Sequence, residues 1–208
     1  MGLDWFAVLG LPRLYALDLT AAEDNFRQRS RQFHPDRFAK ADPRARRASL
    51  QRSVQLNEAW RTIKDPVRRA EYLLGLFGYE IGAEGEARAT HSRGGPGPAR
   101  PPIPVTADLL GRILELREEL SEARAAGDDP RVQRMAVDIR GRVKAALGRV
   151  ADAFARLEAS GDDRAIRDRE LESAARNVIE IRYFRRFLDE VSVHDEGLAL
   201  RDEGTTHA

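Results

Sequence analysis

The chain has 208 residues, of which 42% are hydrophobic, 33% charged and only 7% aromatic, and its formal net charge is +1. It contains no cysteine, which excludes a disulfide scaffold, a cysteine-ligated zinc or iron-sulfur site and a thiol nucleophile. No apolar run approaches the roughly 18 residues that a membrane span needs. We therefore expect a cytoplasmic protein with one ordinary domain or two small ones.

The first 80 residues predict four helices. Thr20 and Glu23 have the spacing of a capping box, which starts the second helix. That helix must end before Pro35, because proline excludes the α conformation from the residue that precedes it. Asp65, directly ahead of Pro66, is a typical cap for the fourth helix. The predicted helices span residues 4–9, 20–34, 43–63 and 66–76.

A change in composition separates this region from the rest of the chain. Ten of the 23 residues from Gly82 to Pro104 are Gly or Pro, and such a segment cannot bury enough apolar surface to offset its ordering entropy. We predict a flexible linker over residues 81–105. Beyond it, three helices with short turns predict an antiparallel bundle over residues 106–193, with Thr106 as the first cap. Residues 194–208 are expected to be a disordered acidic tail. The predicted fold class is all-α.

The loop after the second helix carries the tripeptide His34-Pro35-Asp36. Catalysis by His and Asp would need a nucleophile, a second base or a metal, and the loop offers none of these. A turn without a role and a contact loop for a protein partner both remain possible from the tripeptide alone. Loops held by a rigid scaffold are common places for binding groups.

The surroundings of the tripeptide decide between these interpretations. The order of His34-Pro35-Asp36, Leu56-Asn57-Glu58-Ala59-Trp60-Arg61-Thr62-Ile63 and Asp65-Pro66-Val67-Arg68-Arg69-Ala70-Glu71-Tyr72 resembles the J-domain family. The resemblance covers about residues 4–79 and implies that the loop docks on a DnaK-type chaperone and stimulates its ATP hydrolysis. His34, Pro35 and Asp36 would be essential for this, and the domain would itself be no enzyme. The expected electrostatic contacts of the loop region are Arg27, Arg31 and Arg37.

The first helix of the predicted bundle has two apolar edges. One stripe is formed by Leu109, Ile113, Leu116 and Leu120. Leu110 and Leu114 lie outside this stripe, beside carboxylates. Such an arrangement is typical of a docking surface for a partner with apolar and basic groups. They could equally widen the core face, since apolar stripes over 100° wide are common. The last helix also has two apolar stripes. One of them could be exposed, or the helix could be buried on both sides.

Three segments extend the resemblance. Residues 114–120, 69–74 and 181–184 are similar to the HscB family of iron-sulfur co-chaperones. That resemblance implies a bundle that binds an IscU-like scaffold and a J-domain that recruits an HscA-like chaperone, with no cofactor and no metal of its own. The scaffold-binding positions carried over by the resemblance are Leu110, Leu114, Glu115, Glu118, Glu122 and Tyr183. Gly111 departs from the family, where a larger apolar residue is usual, and the linker is longer than usual.

Two other functions remain open at this point. A J-protein for general protein folding is disfavoured because the chain has neither a Gly/Phe-rich segment nor a Cys-rich zinc module. A nucleic-acid-binding protein is disfavoured because residues 1–80 carry only 14 basic against 10 acidic side chains, too small an excess for phosphate binding. The expected partners are therefore proteins, with no nucleic acid and no membrane.

Overall fold

The computed structural model describes residues 3–79, 81 and 103–203, and the side chains up to residue 192. This part of the chain contains seven α-helices, one short 3-10 helix and no strand, which confirms the all-α prediction. Most of the predicted linker, residues 82–102, lies outside the described residues. The α-helices are α1 Trp5–Leu9, α2 Leu19–Gln32, α3 Pro43–Lys64, α4 Pro66–Leu76, α5 Ala107–Ala125, α6 Asp129–Ala159 and α7 Arg164–Glu203.

Side-chain caps fix most of the helix starts. Asp65 accepts from the backbone N–H groups of residues 67 and 68 at 2.9 Å each, and Thr106 accepts from the N–H of residue 109, so both predicted caps are confirmed. The predicted capping box at Thr20 is wrong. Asp18 accepts from the N–H groups of residues 20 and 21 and starts α2 earlier, because an aspartate just upstream is as good a cap as Thr. Glu23 instead forms an ion pair with Arg27.

The N-terminal unit, residues 3–79, folds α1, α2 and α4 around α3. Its large fully buried side chains come from α1, α3 and α4, whereas α2 contributes the buried Ala22 and Phe26, which stacks on Trp60 of α3 with ring centroids 5.2 Å apart. The backbone N–H of Trp5 donates to the Tyr72 hydroxyl at 2.9 Å and so ties α1 to α4. The apolar residues at the centre are Phe6, Leu9, Leu56, Ala59, Ile63, Ala70 and Leu74.

Gly10 ends α1 in a left-handed conformation with φ of 69°. Arg29 of α2 lies against it and donates to the carbonyl of Val8 at 3.1 Å. A Cβ at position 10 would collide with Nη2 of Arg29. We expect Gly10→Ala to lower the free energy of unfolding by at least about 1–2 kcal/mol, the cost of left-handed backbone for an L-residue.

Urea denaturation followed by circular dichroism measures this loss. The matched control is Gly148→Ala, since Gly148 lies inside α6 with open space around its Cβ position. This variant should gain up to about 1 kcal/mol from helix propensity. Equal stability of the two variants would contradict the role given to the left-handed turn.

The bundle, α5 to α7, is built around α7, which is buried on two sides. Val178 and Ile181 pack in the same core as the N-terminal unit, whereas Ile179 and Phe187 pack against α5 and α6. The structure thus answers the question left open by the two stripes. The predicted helix end at Val191 and the disordered tail from residue 194 differ from the structure, in which α7 continues to Glu203. Residues 204–208 lie outside the described residues.

The two units pack directly on each other. Tyr15 stacks on Phe154 of α6 with ring centroids 4.9 Å apart and planes 13° apart, inside one core that is shared by both units. Two ion pairs flank this core, Arg185 with Asp65 at 3.4 Å and Arg182 with Glu71 at 3.7 Å. Burial raises the pKa of Glu71 above its ordinary value, and the Arg182 guanidinium opposes that rise. The sequence left the angle between the units in doubt, and in the structure these contacts set it.

Candidate partner-binding surfaces

The His34-Pro35-Asp36 loop presents its polar side chains to solvent. His34 is the extended residue ahead of a 3-10 helix over Pro35–Phe38. Its Nδ1 accepts from the backbone N–H of Asp36 at 3.3 Å and lies 3.5 Å from the Asp36 carboxylate. The two side chains are 57% and 89% exposed. Among the described residues, no group of three His, Asp or Glu side chains could hold a metal ion. The loop is therefore a pre-formed polar projection.

Neighbouring side chains hold this projection in place. The buried hydroxyl of Ser49 on α3 donates to the carbonyl of Phe33 at 2.9 Å, and the Arg52 guanidinium lies 5.4 Å from the centre of the Phe33 ring. Arg37 donates to the carbonyl of Arg31 at 3.4 Å, which satisfies one of the free carbonyls at the end of α2. Sequence reasoning missed Ser49 and Arg52, since no local pattern distinguishes them on an arginine-rich helix.

The predicted arginines differ in their surroundings. Arg27, Arg31 and Arg37 are all exposed. Arg27 is partly neutralised by Glu23 at 2.7 Å, whereas Arg31 forms no ion pair within the described part of the chain. Arg29, on the same helix, faces inward onto α1. Of the three predicted arginines, Arg31 and Arg37 therefore carry charge that no described carboxylate balances.

The outer face of α5 exposes the two leucines in question. Leu110 is 45% and Leu114 59% exposed, whereas Leu109 and Ile113 are buried in the bundle core. The core-widening interpretation is therefore wrong, and the docking interpretation stays a prediction. Gly111 lies on this face, with open space around its Cβ position.

Carboxylates border the leucine pair. Glu115 and Glu118 are exposed and form no ion pair with any described residue. Glu122 is also exposed and lies 3.6 Å from Arg131 of α6, so its charge is partly balanced. Tyr183 does not share this exposed face, because it is partly buried on α7 against the α5–α7 core. We define the α5 surface by the five exposed residues Leu110, Leu114, Glu115, Glu118 and Glu122.

Two arginines hold α5 against α7, and sequence reasoning missed both. Arg117 forms an ion pair with Glu190, and Arg124 donates to the Glu190 carbonyl at 2.7 Å. These partners are separated by more than 60 residues in sequence, so no local pattern could reveal them. They anchor the helix that carries the α5 surface.

None of the helices in the described ranges is long and apolar enough to cross a membrane. Residues 105–192 match the family model of the HscB C-terminal oligomerisation domain. The whole chain is similar in structure to the chaperone HscB from Vibrio cholerae, with 26% identity, a TM-score of 0.71 and coverage of 94% of this chain and 99% of that one. It also has the fold of human co-chaperone protein HscB, at 21% identity and a TM-score of 0.71, covering 93% of this chain and 82% of the human one.

The family match and the structural likeness together reach both the bundle and the unit that carries the His34-Pro35-Asp36 loop. The bundle therefore matches the C-terminal domain of the HscB family, and the chain is similar in structure to HscB chaperones.

Proposed function

We propose that this protein links two partners in iron-sulfur cluster assembly in the cytoplasm. The loop at His34, Pro35 and Asp36, with Arg27, Arg31 and Arg37, binds a DnaK-type chaperone of the HscA kind and stimulates its ATP hydrolysis. The α5 surface, with Tyr183 beside it, binds an IscU-like scaffold. The cluster is cargo of the scaffold, and the chain acts on the chaperone's reaction without catalysing one of its own.

One observation carries the proposal: Leu110 and Leu114 are exposed beside carboxylates that pair with no described residue, in a family-matched bundle that packs on the unit with the loop. An exposed leucine pair costs solubility and contributes nothing to the core, which favours a binding role. Carboxylates at its edge favour a partner with basic groups and exclude acidic ones.

The direct test is ATP hydrolysis by a purified DnaK-type chaperone, measured with this protein, with the scaffold and with both. We expect modest stimulation by either alone and more than additive stimulation by the two together, because the chain brings the scaffold to the chaperone. Absence of stimulation in every mixture would reject the proposal. Equal enhancement by an unfolded model protein in place of the scaffold would favour a general folding co-chaperone.

Substitution of Gly111 is predicted to strengthen scaffold binding, whereas the other substitutions on the α5 surface should weaken it. Because a larger side chain at this position meets no neighbour, Gly111→Leu should extend the apolar area formed by Leu110 and Leu114. It should also stabilise α5, since glycine disfavours helix interiors by about 1 kcal/mol. We expect tighter scaffold binding by several-fold, measured by isothermal titration calorimetry.

The control Gly141→Leu lies on α6, also with open space around its Cβ position. It should stabilise the bundle without changing scaffold affinity. An equal gain in affinity for both variants would assign the effect to helix stability alone.

A further inference from the structure

The outer face of α3 carries a second exposed apolar pair. Leu50 is 57% and Val54 61% exposed, and they lie one helical turn apart. The core-facing side of the helix, with Leu56 and Ile63, points the opposite way. Neither exposed side chain packs in the core of the N-terminal unit. The pair is therefore an apolar patch that the described part of the fold leaves uncovered.

The charges beside this patch are positive. Arg46 and Arg47 lie one turn before Leu50 and are exposed, and neither forms an ion pair with any described residue. At the other end of the patch, Arg61 is balanced by Glu58 at 3.3 Å. A partner that covers the patch should therefore offer apolar groups with acidic groups beside them.

The patch lies close to the loop that binds the chaperone in the proposed function, because Ser49, the residue before Leu50, donates to the carbonyl of Phe33, the residue before His34, at 2.9 Å. The 3-10 helix that follows His34 leads into α3 at Pro43. At 1.5 Å per residue, Leu50 and Val54 lie about 10 and 16 Å along the helix axis from Pro43. A specific protein interface covers about 800 Å² per partner, which corresponds to a patch roughly 30 Å across. A chaperone seated on the loop can therefore reach both side chains.

We propose that Leu50 and Val54, with Arg46 and Arg47, form a second contact with the same DnaK-type chaperone, which adds affinity to the contact made by the loop. This inference rests on the proposed function. The loop triggers hydrolysis, and the α3 face contributes binding energy equally in the resting and activated complexes. Loss of such uniform binding raises the concentration of this protein that gives half-maximal stimulation and leaves the maximal rate of ATP hydrolysis unaltered.

The test is the double variant Leu50→Ser, Val54→Ser in the full chain, titrated against the chaperone ATPase. We expect the half-maximal concentration to rise about tenfold, the value for 1.4 kcal/mol of lost contact, with the maximal rate unchanged. The control is Val137→Ser, an exposed valine on α6, which should leave both parameters at wild-type values. Circular dichroism should show equal helix content in all three proteins.

A second variant, Arg46→Glu with Arg47→Glu, should raise the half-maximal concentration more at low salt than at high salt. Wild-type behaviour of both variants beside a stimulating wild-type protein would overturn the α3 contact and leave the proposed function intact. A wild-type protein without stimulation would reject both. If sedimentation instead shows concentration-dependent self-association that the Leu50 and Val54 substitutions abolish, with chaperone affinity unchanged, the patch joins two copies of this chain and the chaperone contact is wrong.

Discussion

Replacing His34 with Gln is expected to reduce stimulation of chaperone ATP hydrolysis to the basal rate while the helical fold stays intact. The His34 side chain is more than half exposed and takes no part in the core, so the free energy of unfolding should change by less than about 0.5 kcal/mol. Only the ring and the turn that its Nδ1 forms with the N–H of Asp36 are lost. Steady-state ATPase assays with the purified chaperone measure the first effect, and thermal melts measure the second.

The matched control for this substitution is Arg134→Gln, an exposed change on α6 of the bundle. It should leave stimulation unaltered, because it lies on the other unit. Retained stimulation by the His34 variant would reject the assignment of the loop as the chaperone trigger. Loss of stimulation with a loss of helix content would show instead that the loop is needed for folding.

Replacing Leu110 and Leu114 together with Ser is expected to weaken scaffold binding by roughly 100-fold, as for two contacts worth about 1.4 kcal/mol each. Both side chains are exposed, so the bundle should keep its stability. Stimulation of the chaperone without scaffold should also be unchanged, because the loop belongs to the other unit. Calorimetric titration with the scaffold and a scaffold-free ATPase assay separate these effects.

An exposed apolar residue elsewhere on the bundle, Ile166 at the start of α7, provides the comparison. Ile166→Ser removes similar chemistry away from the α5 surface and should not alter scaffold affinity. Unchanged affinity in the Leu110 and Leu114 variant would reject the α5 surface as the scaffold site. The neighbouring Leu109 is buried, and its replacement by Ala should lower the free energy of unfolding by about 2–5 kcal/mol, unlike replacement of the exposed Leu110 and Leu114.

Local patterns in the sequence predicted the helices well. Asp65 and Pro66 define the start of α4, and the Gly at position 10 ends α1, because caps and left-handed turns depend on residues within a few positions. The start of α2 was predicted wrongly because Asp18 and Thr20 are both suitable caps and lie only two residues apart, so the local sequence does not choose between them. The extension of α7 beyond Val191 was missed because the sequence after His194 is acidic and shows no regular apolar period.

The candidate surfaces were predicted less completely, for a physical reason. Periodicity gives the angle between Leu109 and Leu110 but not the position of the neighbouring helices, so exposure of the second leucine required the structure. The bond from Ser49 to the Phe33 carbonyl and the ion pair of Arg182 with Glu71 join residues distant in sequence. Such contacts depend on tertiary packing and leave no trace in spacing or composition.

The core that spans both units and contains the stacked Tyr15 and Phe154 rings has a consequence for how two bound partners would meet. When a tether alone connects two binding modules, the local concentration of one partner at the other follows from the statistics of that tether. In a single rigid body it follows from a fixed distance and angle. Lengthening or shortening the segment between residues 82 and 102 should then leave the encounter between the partners almost unaltered, whereas loosening the Tyr15–Phe154 contact should weaken it.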